Sequence, residues 1–149
     1  MTDQRTDQRY GIAWTDELRL GNDQVDAQHM RLIELLNELV TQCMEGSNTE
    51  HLKETLDFLV DYTVEHFYDE ESLQVRYNFP EYTRHKQLHE DFKVVVSELV
   101  QRFVESGSSE DLSNDVNKII VRWLVSHIQL EDKKIGQHIR RLTARYPGF

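Results

Sequence analysis

Apolar residues return every three or four positions along four long stretches of this chain. In the first, from about residue 23 to 44, Val25, His29, Leu32, Leu36, Leu39, Val40 and Cys43 share one helical face. The second runs from about 50 to 77, with Leu52, Leu56, Leu59, Thr63, His66, Glu70, Leu73 and Tyr77 on its stripe. The third runs from about 81 to 105 and carries His85, Leu88, His89, Phe92, Val95, Val96, Leu99 and Phe103. The fourth begins near Glu110 and carries Leu112, Val116, Ile119, Ile120, Trp123, His127 and Leu130. It is expected to end or bend between Asp132 and Gly136, with a short tail helix over about 137–144. No stretch shows the period-two alternation of a strand.

Turn residues divide these stretches. Gly21-Asn22-Asp23 reads as a turn with a helix cap, and Gly46-Ser47-Asn48-Thr49 breaks the first pattern, with Thr49 placed to cap the second. Asn78-Phe79-Pro80 stops the second, because the residue before a proline disfavours helix. Ser106 to Ser109 forms the next loop. Ahead of the first helix, Trp14, Leu18 and Leu20 can pack an extended arm against the other elements. Long helices with short loops imply antiparallel neighbours. The expected fold is all-α: an antiparallel up-down-up-down four-helix bundle with an extended N-terminal arm and a short C-terminal tail helix. The expected organisation is one domain over 1–149, with a polar tail to residue 11, a core over about 12–135 and a C-terminal tail over 136–149.

The apolar stripes are interrupted by polar groups in a regular way. His66 and Glu70 stand one turn apart, and so do His85 and His89. His29 lies on the first stripe and His127 on the fourth. A buried carboxylate costs several kcal/mol unless it is paired or holds a metal. A buried imidazole needs partners for both ring nitrogens. Histidines and carboxylates on the inner faces of four helices therefore point to a two-metal site inside a bundle. Two carboxylates compete on the fourth helix. Glu131 lies at i+4 from His127, whereas Asp132 at i+5 is about 140° away on an ideal helix, so spacing alone favours Glu131. If Asp132 serves instead, the helix is expected to be distorted there, as by a π-bulge. Glu71 points about 100° away from Glu70, which leaves Glu70 the better candidate. His51 and His138 read as solvated residues. Thiolate pairs are absent, which argues against a structural zinc, and mixed imidazole and carboxylate ligands suit iron or manganese. No Glu-x-x-His occurs, so the pattern is not that of the carboxylate-rich di-iron bundles.

Composition narrows the function classes. A formal net charge of −10 opposes a nucleic-acid role, and the one basic cluster, Lys133, Lys134, Arg140, Arg141 and Arg145, reads as a solvated helix end. No apolar run approaches the roughly 20 residues of a membrane span, so no membrane insertion is expected. The N-terminus lacks the apolar stretch of a signal peptide, and the single cysteine, Cys43, fits a reducing compartment. The expected location is cytoplasmic.

Several of these segments resemble the hemerythrins, specifically the bacterial single-domain type. They are Trp14, Asp26-Ala27-Gln28-His29, His66 through Glu71, Phe79-Pro80, His85 through His89, Trp123-Leu124 and His127 through Lys133. The resemblance covers about residues 12–135. It implies two iron ions with an oxo or hydroxo bridge. His85, His89 and His127 would hold one iron, and His29 and His66 the other. Glu70 and Asp132 would bridge them, which takes the resemblance to Asp132 over Glu131. Of about 12 positions on two octahedral ions, that set leaves one open, on the iron with two histidines. The resemblance implies that dioxygen binds there. Leu32, Phe67, Leu124 and Ile128 would line a dry ligand pocket. Two departures stand out: Gln74 where bacterial members often carry methionine, and Asn78-Phe79 in place of Gly-Tyr. If Gln74 faces inward, it brings a polar group close to the centre.

The implied function is reversible dioxygen binding for storage, delivery or sensing, without catalysis. One alternative is an oxygen- or redox-sensing domain working through an output domain or an unknown protein partner. Another is a di-iron oxidase, peroxidase or nitric-oxide-handling enzyme. No spare acid or base is aimed at the expected site, which favours the carrier.

Overall fold

Asn22 starts the first helix by accepting a hydrogen bond from the Val25 amide at 3.1 Å. The computed structural model describes residues 12–46, 49–107 and 109–148, so the expected polar tail over 1–11 lies outside the described residues. Helix α1 spans Asp23–Glu45, α2 Thr49–Arg76 and α3 Tyr82–Ser106. Gly46, with φ at +74°, closes α1 in the left-handed conformation that favours glycine. Asn78, at φ +51°, turns the chain after α2. The side chain of Thr49 lies outside the described residues, so its capping role does too.

The fourth arm of the bundle is one unbroken helical run. It comprises α4 (Glu110–Asp115), a π-helical segment (Val116–Val121), α5 (Arg122–Ser126), a second π-helical segment (His127–Asp132) and α6 (Lys133–Arg145). Ser109 caps its start by accepting from the Leu112 amide at 3.1 Å. The helix does not end between Asp132 and Gly136 but runs on to Arg145. Gly136 serves a close approach inside the helix: a Cβ there would stand 2.0 Å from the Leu20 carbonyl oxygen. Leu130, expected on the buried stripe, is 62% exposed. The two π segments each add a residue per turn and rotate the inner face, so the period read from the sequence runs out of phase there.

The bundle is antiparallel. His29 near the start of α1 meets Glu70 near the end of α2, and Glu70 meets His85 near the start of α3. Leu32, Leu36, Leu39, Leu52, Leu59, Phe92, Leu99, Ile120 and Leu124 belong to the main apolar core. A smaller cluster of Leu20, Val25, Phe79 and Ile135 closes the end of the bundle nearest the histidines. The N-terminal arm packs on the main core through Ile12, Trp14 and Leu18 and reaches this end at Leu20, with a 3₁₀ turn at Asp16–Leu18 rather than being extended throughout. Asn37 ties it down by pairing with both backbone groups of Ile12 at 2.7 Å. Buried Asp26 accepts from the amides of Leu20 and Gly21 at 2.7 and 3.1 Å, and Arg140 donates to the Leu20 carbonyl at 2.8 Å. Among the described residues there is no strand, and no helix is long and apolar enough to cross a membrane.

Candidate metal centre

Seven side chains from the four arms of the bundle meet beneath the end cap. His66 and Glu70 stand one turn apart on α2, as do His85 and His89 on α3, and both pairs turn inward. His29 comes from α1. His127 and Asp132 are the first and last residues of the second π-helical segment, whose wider turn brings i and i+5 to one face. All seven are buried, and Glu70, His29 and His89 have no exposed surface.

The donor atoms fall into two groups, each with its atoms within 4.8 Å of one another. One holds His85, His89 and His127 with Glu70 and Asp132, and the other holds His29 and His66 with the same two carboxylates. Each carboxylate divides its oxygens between the groups. Glu70 Oε1 lies 2.8 Å from His85 Nε2 and 3.2 Å from His89 Nε2. Its Oε2 lies 3.1 Å from His66 Nε2 and 3.3 Å from His29 Nε2. Asp132 Oδ1 lies 3.0 Å from His127 and 3.1 Å from His85, and its Oδ2 lies 3.0 Å from His29.

Hydrogen bonding alone does not account for this packing. The Nε2 atoms of His89 and His85 stand 3.0 and 3.1 Å from that of His127, three nitrogens aimed at a common point. Both Asp132 oxygens are buried, close to imidazoles, and yet not directed to make a hydrogen bond with any of them. Lone pairs of nitrogen and oxygen converging on two points are what a pair of metal ions requires, and the thiolate-free donor set fits iron. The electrostatics agree. Burial works to lower the pKa of His29, but Asp132 and Glu70 outweigh it and raise it to about 10. Burial likewise opposes the charge on His85, and the same carboxylates lift it to about 9. Burial pushes Glu70 upward, and the four surrounding imidazoles hold it well below the usual carboxylate range. Two buried carboxylates thus draw positive charge into the centre.

The outer ring nitrogens of His66 and His89 are held as well. His66 Nδ1 donates to Gln28 Oε1 at 2.7 Å, and the Gln28 amide donates in turn to Asp69 at 2.8 Å. His89 Nδ1 donates to Glu71 Oε2 at 3.2 Å. Such bonds fix the tautomer that leaves Nε2 free to ligate. Phe67 stacks on His89 with centroids 3.8 Å apart, Trp123 stacks on His127 at 4.4 Å, and Phe92 stacks on Trp123 at 3.9 Å. Leu32, Phe67, Leu124 and Ile128 are all buried in the main core beside these rings. An interior cavity of about 10 Å³ touches Leu124 and Leu36. It shares Val60, Thr63, Phe92 and Val96 with a surface groove of about 290 Å³ between α2 and α3.

The model of the hemerythrin HHE cation-binding domain matches residues 20–139, a span that contains all seven converging side chains. The chain belongs to the hemerythrin family. It is 34% identical over 129 residues to a bacteriohemerythrin of Stenotrophomonas maltophilia, covering 87% of this chain and 82% of that protein. A bacteriohemerythrin of Methylococcus capsulatus is 32% identical, covering 74% of this chain and 82% of its own. The crystal structure of a wild-type hemerythrin matches the fold with a TM-score of 0.74 at 27% identity, covering 86% of this chain and 97% of that one.

Within the hemerythrin bundle, several residues sit where spacing did not place them. Gln74 does face inward: it has no exposed surface, and neither side-chain polar atom has a hydrogen-bond partner among the described residues. His138 is half-buried rather than solvated, because it donates to the Tyr77 carbonyl at 2.7 Å and meets Phe79 edge to face. His51 is exposed, as expected, and takes a contact from Gln42 at 3.0 Å. Trp123 lies on the expected fourth stripe, whereas the supporting roles of Gln28 and Glu71 were not visible as periodicity. Each of these two lies next to an inward histidine or carboxylate, on a flank of the stripe.

Proposed function

We propose that this hemerythrin-family protein binds dioxygen reversibly at a pair of iron ions. The observation that carries the reading is the division of Glu70 and Asp132, each turning one oxygen to the three-histidine group and the other to the two-histidine group. In this reading His85, His89 and His127 would hold one iron, His29 and His66 would hold the other, and Glu70 and Asp132 would serve both. Bound there, the iron pair would supply reversible electron transfer to the gas, and the group with fewer histidines, His29 and His66, would leave room for that ligand.

The chain's own residues supply dryness and rigidity. Leu32, Phe67, Leu124 and Ile128 present hydrocarbon where the ligand sits and exclude the water that would displace it. The stacked Phe67, Phe92 and Trp123 fix the His89 and His127 rings. Gln28 and Glu71 fix the tautomers of His66 and His89. The apolar groove between α2 and α3 suits a small uncharged ligand.

Air added to the reduced, iron-loaded protein is expected to produce a visible charge-transfer band that disappears on deoxygenation. His66→Ala is expected to abolish it. Rapid irreversible oxidation with peroxide release, or an iron content far below roughly two per chain, would overturn the reading.

A further inference from the structure

Glu131 and Asp132 are adjacent acids, and either carboxylate has the chemistry to serve the centre. An α-helical register after His127 turns Glu131 inward, since residues four apart share a face. The protein instead takes the π register over His127–Asp132 and buries Asp132. Glu131 faces the surface, where Arg84 grips it with both arms of the guanidinium: Nη1 to Oε2 at 2.6 Å and Nη2 to Oε1 at 3.0 Å. Lys134 approaches the same carboxylate at 3.6 Å. Arg84 immediately precedes His85. One fork therefore ties the start of α3, at an inward histidine, to the neighbour of the inward aspartate.

We propose that Arg84 is a positioning residue whose fork holds Glu131 at the surface and so keeps the π register that turns Asp132 inward. An isolated surface ion pair contributes little to overall stability. This pair acts through geometry. A planar two-point grip fixes the orientation of a carboxylate, which a lysine cannot do. The choice it biases is a close one, since both registers bring a carboxylate to the same place and the π turn carries the poorer hydrogen bonding. The inference rests on the reading that Asp132 holds metal.

The test measures iron bound by wild type, Asp132→Ala and the double variant Asp132→Ala with Arg84→Ala, each checked for helical content by circular dichroism. Asp132→Ala is expected to lose iron several-fold, because Glu131 stays pinned outside. Removing Arg84 as well is expected to restore much of that loss, because Glu131 can then turn in. Equal iron in the two variants would sink the inference. An iron-poor wild type would instead remove the metal reading beneath it. A second measurement needs no iron. In metal-free Arg84→Ala, the amides of residues 128–133 are expected to exchange with solvent roughly fivefold faster, with α1 unchanged. Unchanged exchange over 128–133 would also overturn the assignment.

Discussion

A buried polar atom without a partner is costly, and the residues near the centre differ in how they find one. His66 and His89 use the outer nitrogen for Gln28 and Glu71. Gln74, one turn beyond Glu70, is buried and has no partner at either amide atom among the described residues. Burying an unsatisfied amide costs about 1–3 kcal/mol on the evidence of mutations. Methionine has nearly the same volume and no such requirement. Gln74→Met is therefore expected to raise the melting temperature of the metal-free protein by roughly 2–6 °C. A lower melting temperature, measured by calorimetry, would mean that the amide has a partner in solution. The sequence placed Gln74 on an inward stripe only conditionally, because a glutamine near a helix end is as easily solvated as buried. Only the packing of Leu20, Val25, Phe79 and Ile135 over that end decides the matter.

At the scale of elements, the four helices were legible because each repeats apolar residues at the α-helical period and ends at a Gly, Asn, Pro or Ser signal. The limits of the first three, and the start of the fourth, fall within a residue or so of the expected ones. The fourth arm was read less well. A Gly136 near basic residues looks like a helix stop, but here it lets α6 pass the arm at Leu20. Gly136→Ala gains helix propensity of about 1 kcal/mol, yet drives a methyl group into the Leu20 carbonyl. Overpacking against backbone costs about 1–3 kcal/mol or more, and the clash at 2.0 Å belongs at the upper end. The urea midpoint of Gly136→Ala is expected to fall, and a rise would show that the arm moves aside freely. The distortion at Asp132 was expected only on condition that Asp132, not Glu131, turned inward. The structure has that distortion, a full π-helical segment.

At the scale of the whole molecule, two buried carboxylates and the imidazoles of His29, His85 and His89 make folding depend on pH. His29 and His85 rise to about 10 and about 9 in the metal-free fold, from an ordinary value of 6.5. The folded state holds those protons more tightly than the unfolded state. Their stabilisation is complete below 6.5 and is lost as pH rises through about 9 to 10. Glu70 and Asp132 are held low, so their stabilisation is present above the ordinary carboxylate range and lost in acid. Burial pushes the Cys43 thiol up, which acts in the same direction as the histidines. The urea midpoint of the metal-free protein is thus expected to fall between pH 7 and 10, and a flat profile would contradict the buried cluster. The sequence by itself determined the four inward stripes, the residues fit to hold metal and the family, because helical periodicity and ligand spacing are local properties of the chain. Spacing favoured Glu131 and only the resemblance favoured Asp132; the tertiary structure turns Asp132 in, runs the fourth arm on through Gly136 and buries Gln74. Each of these depends on a contact between distant segments, Arg84 with Glu131, Leu20 with Gly136, or the end cap with α2, and no period along the chain encodes it.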